Sequence, residues 1–192
     1  MDNVATLAVD VFAKGIHRSP ILDKAGQVTG TLSQSAIVKW LISETKSYMK
    51  DLQALDLYLS DLGLGGAPLA TVQEDWSVVK VLQVLNAAGV SAVPIVDKAG
   101  KIVGNFSAVD LVGLYKEKLP HFEQPIKSFL KDHAPQALQV EGLTYRDTTL
   151  KALLAYFEAK PHHRVWIVDN DRPVGVVSHT DLMAFIRDYN GN

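Results

Sequence analysis

Two aspartates stand where a carboxylate could take part in binding. Asp110 and Asp181 each follow a serine by three residues, Ser107 and Ser178, within the pattern Gly-x-x-Ser-x-x-Asp. A serine with an acidic residue three positions later is typical of a capping box, which begins a helix. A carboxylate one turn into a helix can also accept hydrogen bonds from both hydroxyls of a ribose, and the exposed N–H groups there can meet an anion or a base edge. The residues alone leave both interpretations open.

The segment that carries Asp110 is one copy of a repeat. Residues 90–115 indicate a strand, a tight turn at 97–100, a second strand and then a helix. The same pattern fits residues 16–41 and 162–186, and the turn of the third copy is one residue shorter. Three copies at a period above 70 residues predict small α/β subdomains that cover one another's sheets.

The first copy differs from the other two in two ways. Ala36 occupies the position of the aspartates, so this copy lacks the carboxylate that the other two carry. The counterpart of the predicted strand at 69–72 would lie before Met1, which predicts either a part of a longer protein or a repeat that borrows an edge strand. We therefore expect the chain to self-associate as a homo-oligomer, with first copies covering each other.

Periodicity places the remaining elements. Helices are predicted over residues 1–15, 36–49, 76–88, 126–131 and 145–159, and residues 133–140 should lead into a strand. The glycine-rich stretch 63–68 is either a plain turn or a loop that touches a ligand, because it lacks the Lys-Ser/Thr of a phosphate-binding loop.

Composition excludes several classes of protein. Nineteen basic and 21 acidic residues give a net charge of −2 without blocks of like charge, so neither nucleic acid nor an anionic membrane is an expected partner. No apolar run reaches about 18 residues, and the N-terminus lacks a basic segment before an apolar one, so we expect a soluble chain. The absence of cysteine suits a reducing compartment, and we expect the cytoplasm or the nucleus.

No catalytic group is evident in the sequence. Ser178 and His179 are neighbours and cannot form a catalytic triad by themselves, which predicts a protein that is not an enzyme. The adjacent His162 and His163 would point to opposite faces of a strand, so no metal site is expected.

The repeated sequence VSAVPIVDKAGKIVGNFSAVDL at 90–111 resembles the cystathionine-β-synthase (CBS) domain, whose copies pair and bind adenine nucleotides in the clefts between them. With IHRSPILD at 16–23, HHRVWIVD at 162–169 and GVVSHTDL at 175–182, the chain resembles three repeats of the γ regulatory subunit of AMP-activated protein kinase and related yeast and plant proteins. The likeness covers about 150 of the 192 residues.

This resemblance implies an α/β fold of tandem βαββα repeats, with an intact pair and one N-terminally incomplete copy. It implies a non-catalytic regulatory protein that binds AMP, ADP or ATP as a regulatory ligand, without an enzymatic cofactor, and acts on a protein kinase as a γ-like subunit. The alternative is a ligand-independent CBS scaffold that regulates a phosphatase or kinase. The implied boundaries are a first repeat at 1–50, a linker at 51–68, a second repeat at 69–118, a linker at 119–136, a third repeat at 137–188 and a tail at 189–192.

Matching positions also imply individual contacts. The implied ribose ligands are Asp110 and Asp181, and the helix-start contacts are Ser107, Ser178 and Thr180. Phosphate contacts fall on His17, Arg18, His163 and Arg164, and base or backbone contacts on Ser91, Ala92 and Ala70. Nucleotide phosphates bind well to bidentate Arg side chains and His donors that converge from neighbouring copies. Such local groups are needed because the chain carries no net positive charge.

Overall fold

The computed structural model describes residues 9–45, 53–66, 69–113, 116–140, 142–160 and 163–190. The strands are β1 (Arg18–Leu22), β2 (Val28–Ser33), β3 (Val72–Gln73), β4 (Ala92–Val96), β5 (Ile102–Ser107), β6 (Gly142–Thr144), β7 (Arg164–Asp169) and β8 (Arg172–Ser178). The α-helices are α1 (Gln34–Thr45), α2 (Val78–Ala88), α3 (Ile126–His133), α4 (Leu150–Ala159) and α5 (His179–Asn190). The sheet orders are β1-β2, β3-β4-β5 and β6-β7-β8, which confirms the predicted α/β class and its tandem repeats.

The repeats share their backbone hydrogen bonds. The hairpins β1-β2 and β4-β5 pair antiparallel with the same register and the same irregularity near the turn. In each repeat, the residue after the serine donates its N–H to the carbonyl oxygen of the residue just before the first hairpin strand. These bonds are Gln34 N to His17 O at 3.1 Å, Ala108 N to Ser91 O at 3.2 Å and His179 N to His163 O at 3.0 Å.

The turns explain why the third copy can lose a residue. The Asp97 carboxylate accepts hydrogen bonds from the N–H groups of Ala99 and Lys101, at 2.8 and 2.9 Å, and Asp23 does the same in the first copy. In the third copy, Asn170 and Asp171 have φ angles of 48° and 63°. Two successive positive φ angles are typical of a two-residue type I′ turn, which Asn and Asp tolerate.

The helix predicted after Ser107 is wrong. The chain forms a short 3-10 helix, Ala108–Leu111, and Val112 is already extended. Val109 and Val112 are 73% and 79% exposed, so this segment buries no apolar stripe that would stabilise a longer helix. In the first and third copies, the same position begins the 12-residue helices α1 and α5.

Other predicted boundaries shift by a few residues. Helix α2 begins after Ser77, whose hydroxyl accepts from the N–H of Lys80, and α4 begins after Thr149, which caps it in the same way. Residues 133–140, predicted to lead into the strand of the third repeat, form the end of α3 and a 3-10 helix, and β6 follows at Gly142–Thr144. The helix ends predicted at 1–8 and 46–49 lie outside the described residues.

The chain forms two compact units. The first contains residues 1–66, 144–165 and 176–192, and the second contains 67–143 and 166–175. Buried residues of the first unit include Phe12, Val38, Leu59, Leu153, Phe157, Leu182 and Met183. The core of the second unit includes Val72, Val78, Val81, Val93, Ile95, Phe106, Ile126, Phe129 and Leu130. Among the described helices, none has the length and apolar character that a membrane span requires.

Equivalent isoleucines in two repeats should respond differently to truncation. Ile95 is 0% exposed, whereas Ile21 in the first copy is 46% exposed. We expect Ile95→Ala to cost about 2–5 kcal/mol of unfolding free energy, because it leaves a cavity in a packed core. Ile21→Ala should cost less than about 1 kcal/mol. Urea denaturation of both variants measures the difference, and equal losses would contradict the exposed placement of the first hairpin.

Candidate functional site

The first unit gathers polar side chains of the first and third repeats at the starts of α1 and α5. His17 Nδ1 lies 2.9 Å from Gln34 Oε1. The Gln34 amide nitrogen donates to the carbonyl of Phe12 at 3.0 Å and to Thr180 Oγ1 at 2.9 Å. Gln34 is buried, and its side chain therefore links His17 of one repeat to Thr180 of the other.

A second bridge joins the same two repeats. Ser35 Oγ lies 3.1 Å from His163 Nδ1. Because Ser35 follows Gln34 directly, the two bridges bring His17, His163 and Thr180 into one cluster. We call these five residues, together with His179, the histidine cluster.

Sequence reasoning missed three members of this cluster, although the repeat contained a signal for two of them. Gln34 and His179 occupy the same position in their repeats, immediately after the serine, where the second repeat has Ala108. A large polar residue at this place in the first and third copies alone indicates a role that the second copy lacks. Ser35 carries no comparable signal.

His179 is the least satisfied member of the cluster. It is 5% exposed, and neither of its ring nitrogens has a hydrogen-bond partner among the described residues. Its ring packs edge-on against Phe157 at 4.7 Å and His163 at 5.3 Å between centroids. Burial, followed by the charge of His163, lowers the pKa of His179 to about 4. The imidazole is therefore neutral at physiological pH.

The two predicted arginines differ in their surroundings. Arg18 is exposed at the start of β1, and Arg164 is partly buried at the start of β7. Burial lowers the pKa of the Arg164 guanidinium. A guanidinium can form charge-assisted hydrogen bonds to an anion.

The aspartates begin helices as the capping interpretation predicts. Asp181 Oδ2 accepts from the N–H and the hydroxyl of Ser178, at 2.7 and 2.6 Å. Asp110 Oδ2 accepts from the same groups of Ser107, at 2.7 and 2.9 Å. These bonds use one oxygen of each carboxylate. The other oxygen, Oδ1, has no hydrogen bond to a described residue in either repeat, so capping and ribose binding are compatible.

The predicted residues Ser91 and Ala92 of the second copy lie at the open end of its hairpin, away from the turn. Ala92 pairs with Ser107 across β4 and β5, and the N–H of Ala108 donates to Ser91 O. Ala70 packs against the core of the second unit just before β3. No basic side chain replaces His17 or His163 here, since the equivalent position is Ser91.

The described residues contain no group of three or more His, Cys, Asp or Glu side chains that could hold a metal ion. Imidazoles and hydroxyls instead make the histidine cluster suited to an oxyanion such as phosphate, and Arg164 follows His163 in the chain.

The repeated sequence matches a known class of domain. The profile of the CBS domain matches residues 64–117 and 144–188. The chain therefore belongs to the CBS domain family, as the resemblance predicted.

Curated relatives include protein sds23 of Aspergillus clavatus, 31% identical over 172 residues that make up 84% of this chain and 33% of that protein. Protein SDS23 of Candida albicans is 26% identical over 189 residues, 92% of this chain and 30% of that protein. The chain thus spans about a third of the length of these relatives.

Solved structures share the fold. Protein MJ1225 from Methanocaldococcus jannaschii, a candidate archaeal homologue of g-AMPK, gives a TM-score of 0.68 at 15% identity, covering 94% of this chain and 63% of that chain. The CBS domain pair of protein MJ0100, in complex with 5′-methylthioadenosine and S-adenosyl-L-methionine, gives 0.51 at 20% identity, covering 70% and 97%.

The buried imidazole predicts a loss of stability in acid. The pKa of His179 is about 4 in the folded chain and about 6.5 in an unfolded one. Below pH 6.5 the unfolded state binds the extra proton, so the free energy of unfolding should fall by up to about 1.4 kcal/mol per pH unit until about pH 4. Urea denaturation of the wild type and of His179→Leu at several pH values measures this slope.

We expect His179→Leu to flatten the slope, because it removes the group that must stay uncharged. His121→Gln removes a histidine of the second unit and serves as the matched control. A slope that is the same in the wild type and His179→Leu would show that His179 does not titrate between these pH values.

Proposed function

We propose that this CBS protein is a non-catalytic regulator that binds adenine nucleotides, AMP, ADP or ATP, and thereby changes its affinity for a protein kinase or phosphatase. The histidine cluster carries the proposal. It joins the histidines of both predicted phosphate-binding pairs, His17-Arg18 and His163-Arg164, within one unit.

The phosphate end of the ligand is assigned to this cluster. His163 is exposed and is oriented by Ser35, and Arg164 follows it in the chain. A histidine ring nitrogen and a guanidinium can both donate to phosphate oxygens, and charge-assisted bonds of this kind are about twice as strong as neutral ones. Because the chain has a net charge of −2, this attraction must come from local groups.

The ribose end is assigned to the aspartates. Asp181 starts α5, which also carries Thr180 and His179 of the cluster. Its Oδ2 fixes the side chain through Ser178, which leaves Oδ1 as the acceptor for a ribose hydroxyl. Asp110 has the same arrangement in the second unit and is proposed to serve a second, separate ligand.

Relatives support an adenosine-containing ligand. The CBS pair of MJ0100 holds two adenosine derivatives, and MJ1225 is compared with a subunit of the AMP-activated kinase. A regulatory effect then requires that the ligand binds better to one state of the protein, or of its complex, than to another.

Calorimetric titration of the purified chain with AMP, ADP and ATP tests the proposal directly. Heat of binding that saturates with each ligand, together with a rise in melting temperature, is the expected result. The absence of heat and of a thermal shift at millimolar ligand would favour the ligand-independent scaffold.

Asp181→Asn separates capping from ligand binding. The remaining oxygen of asparagine can still accept from Ser178, so the melting temperature should change little. The loss of the charged acceptor should weaken nucleotide binding by about ten- to a hundredfold, since a hydrogen bond to a charged group contributes about 1.5–3 kcal/mol. Calorimetry and thermal unfolding of the same sample give both values.

Asp110→Asn is the matched variant in the other unit and should reduce binding at a different stoichiometric site. Unchanged affinity in the Asp110→Asn, Asp181→Asn double variant would refute the ribose assignment. A large fall in melting temperature without a change in affinity would show that both residues act as helix caps and do not bind ribose.

Arg164→Gln tests the phosphate assignment. The affinity for AMP should fall by about tenfold or more, because a charge-assisted bond to phosphate is lost. The affinity for adenosine, which has no phosphate, should stay within about twofold. Competition titrations with both ligands measure the two effects, and an equal loss for AMP and adenosine would place Arg164 away from the phosphate.

A further inference from the structure

The side chain of Gln34 has an orientation that its partners determine. Its Nε2 lies 3.0 Å from the carbonyl oxygen of Phe12 and 2.9 Å from Thr180 Oγ1. A backbone carbonyl can only accept a hydrogen bond, so the atom that faces Phe12 must be the amide nitrogen. Both N–H groups of the Gln34 amide are therefore used, and the atom that faces His17 is the amide oxygen.

This orientation determines which ring nitrogen of His17 carries a hydrogen. Gln34 Oε1 lies 2.9 Å from His17 Nδ1, and an amide oxygen can only accept. His17 Nδ1 must therefore carry the hydrogen of this bond. In a neutral imidazole the other nitrogen, Nε2, then has a lone pair and no hydrogen. His17 Nε2 can donate a hydrogen bond only when the ring is protonated and positively charged.

Gln34 holds His17 at two points. Its backbone N–H donates to the carbonyl of His17 at 3.1 Å, in addition to the bond between the side chains. Gln34 is buried, whereas His17 is exposed. The partner that sets the tautomer is thus fixed inside the unit, and a ligand in solvent can reach the histidine.

The second predicted phosphate-binding histidine is not restricted in this way. His163 Nδ1 lies 3.1 Å from Ser35 Oγ, and a hydroxyl can donate or accept. This contact is therefore compatible with both neutral tautomers of His163, including the one with a hydrogen on Nε2. The two histidines differ in what their partner in α1 allows a neutral ring to offer an anion.

We infer that Gln34 is a positioning residue that makes nucleotide binding depend on a proton, because it allows His17 to contact the phosphate only as the imidazolium ion. A fully ionised phosphate has acceptor oxygens and no hydrogen to donate, so it is repelled by a lone pair on Nε2. When the ligand binds to a chain with neutral His17, Nε2 takes up a proton from solvent. This inference rests on the proposed phosphate site and adds a way in which that site is regulated.

The charges around the cluster favour proton uptake when an anion arrives. The first turn of α1 has no acidic residue, and Asp10, in the helical turn that contains Phe12, interacts with Arg187. The other elements that meet at the cluster carry further charged or titratable side chains near it, namely Lys14, Arg18, Glu158, Lys160, His163, Arg164, His179 and Asp181. Their cations outnumber their carboxylates, and a bound phosphate supplies the negative charge that stabilises an imidazolium.

The affinity for AMP should therefore fall as the pH rises. Where His17 is neutral in the free chain and charged in the complex, linkage lowers the affinity by up to about tenfold for each pH unit. Calorimetry from about pH 7 to about pH 8.5 measures this loss above the range in which a phosphate monoester itself titrates, near about pH 6. Titrations in buffers of different ionisation enthalpy should show proton uptake on binding. An affinity that rises with pH, as expected if a neutral Nε2 accepts from the ligand, would overturn the inference.

His17→Gln and His163→Gln form a matched pair of variants. Glutamine supplies an amide N–H that does not titrate. Both variants should bind AMP more weakly than the wild type, but only His17→Gln should lose most of the pH dependence and the proton uptake. Equal pH dependence in the wild type and in His17→Gln would show that His17 is not the group that takes up the proton.

Nitrogen NMR tests the tautomer without a ligand. Long-range nitrogen–proton correlation spectra of the free chain above about pH 8, where histidine is ordinarily neutral, should show the hydrogen of His17 on Nδ1. A hydrogen on Nε2 would overturn the inference. The absence of AMP binding at every pH would refute the proposed function and this inference together, whereas AMP binding without proton uptake would refute the inference alone.

Discussion

The constraint on which the second unit depends is that its β-hairpin must be covered. Two strands cannot bury both of their faces by themselves, and a hairpin alone is marginally stable. In the second repeat, β3 pairs with one edge of the hairpin, while α2, α3 and the 3-10 helix around Ala137 cover one face. The third repeat's hairpin covers the other. Ile95 and Val96 are buried for this reason.

The same constraint explains where the polar residues lie. A hairpin packed by its face leaves the helix starts at its open end for other contacts, and each repeat presents its serine there. In the first unit, these ends carry Gln34, Ser35, Thr180 and His179, which meet each other and the histidines that precede the strands. In the second unit, the same position is Ala108, and the hydroxyl of Ser107 donates to the Asp110 carboxylate of the cap.

Much of the fold could be predicted because it follows from local patterns that occur three times. The turn residues, the alternation of β-branched residues and the Ser-x-x-Asp pattern placed the hairpins and the capping boxes. The exposed segment after Ser107 could not be placed correctly, because its valines are compatible with a helix and only the lack of a covering partner prevents one. The 3-10 helix before β6 was not predicted for a related reason: its residues Ala137 and Leu138 pack over Gly104, a long-range contact that no local pattern encodes.

The candidate site was predictable only in part, for the same physical reason. Motif positions identified the histidines and the aspartates one repeat at a time. The bridges between repeats depend on which copies meet, and the sequence contains no direct record of that pairing. The repeat alignment did show that Gln34 and His179 differ from Ala108, but not that they would face a common cluster.

The two equivalent positions in the cluster also differ in energy. Gln34 satisfies its amide through Phe12, His17 and Thr180, whereas the ring nitrogens of His179 have no partner among the described residues. A buried polar group without a hydrogen bond costs about 1–3 kcal/mol. The cluster residue whose ring nitrogens lack hydrogen bonds to described residues therefore belongs to the third repeat, which also carries His163 and Arg164. A small shift of α5 that gave His179 a partner would recover part of this cost, and α5 also carries Asp181. In the proposed site, coupling between ligand contact and the position of α5 is thus expected to begin in the third repeat.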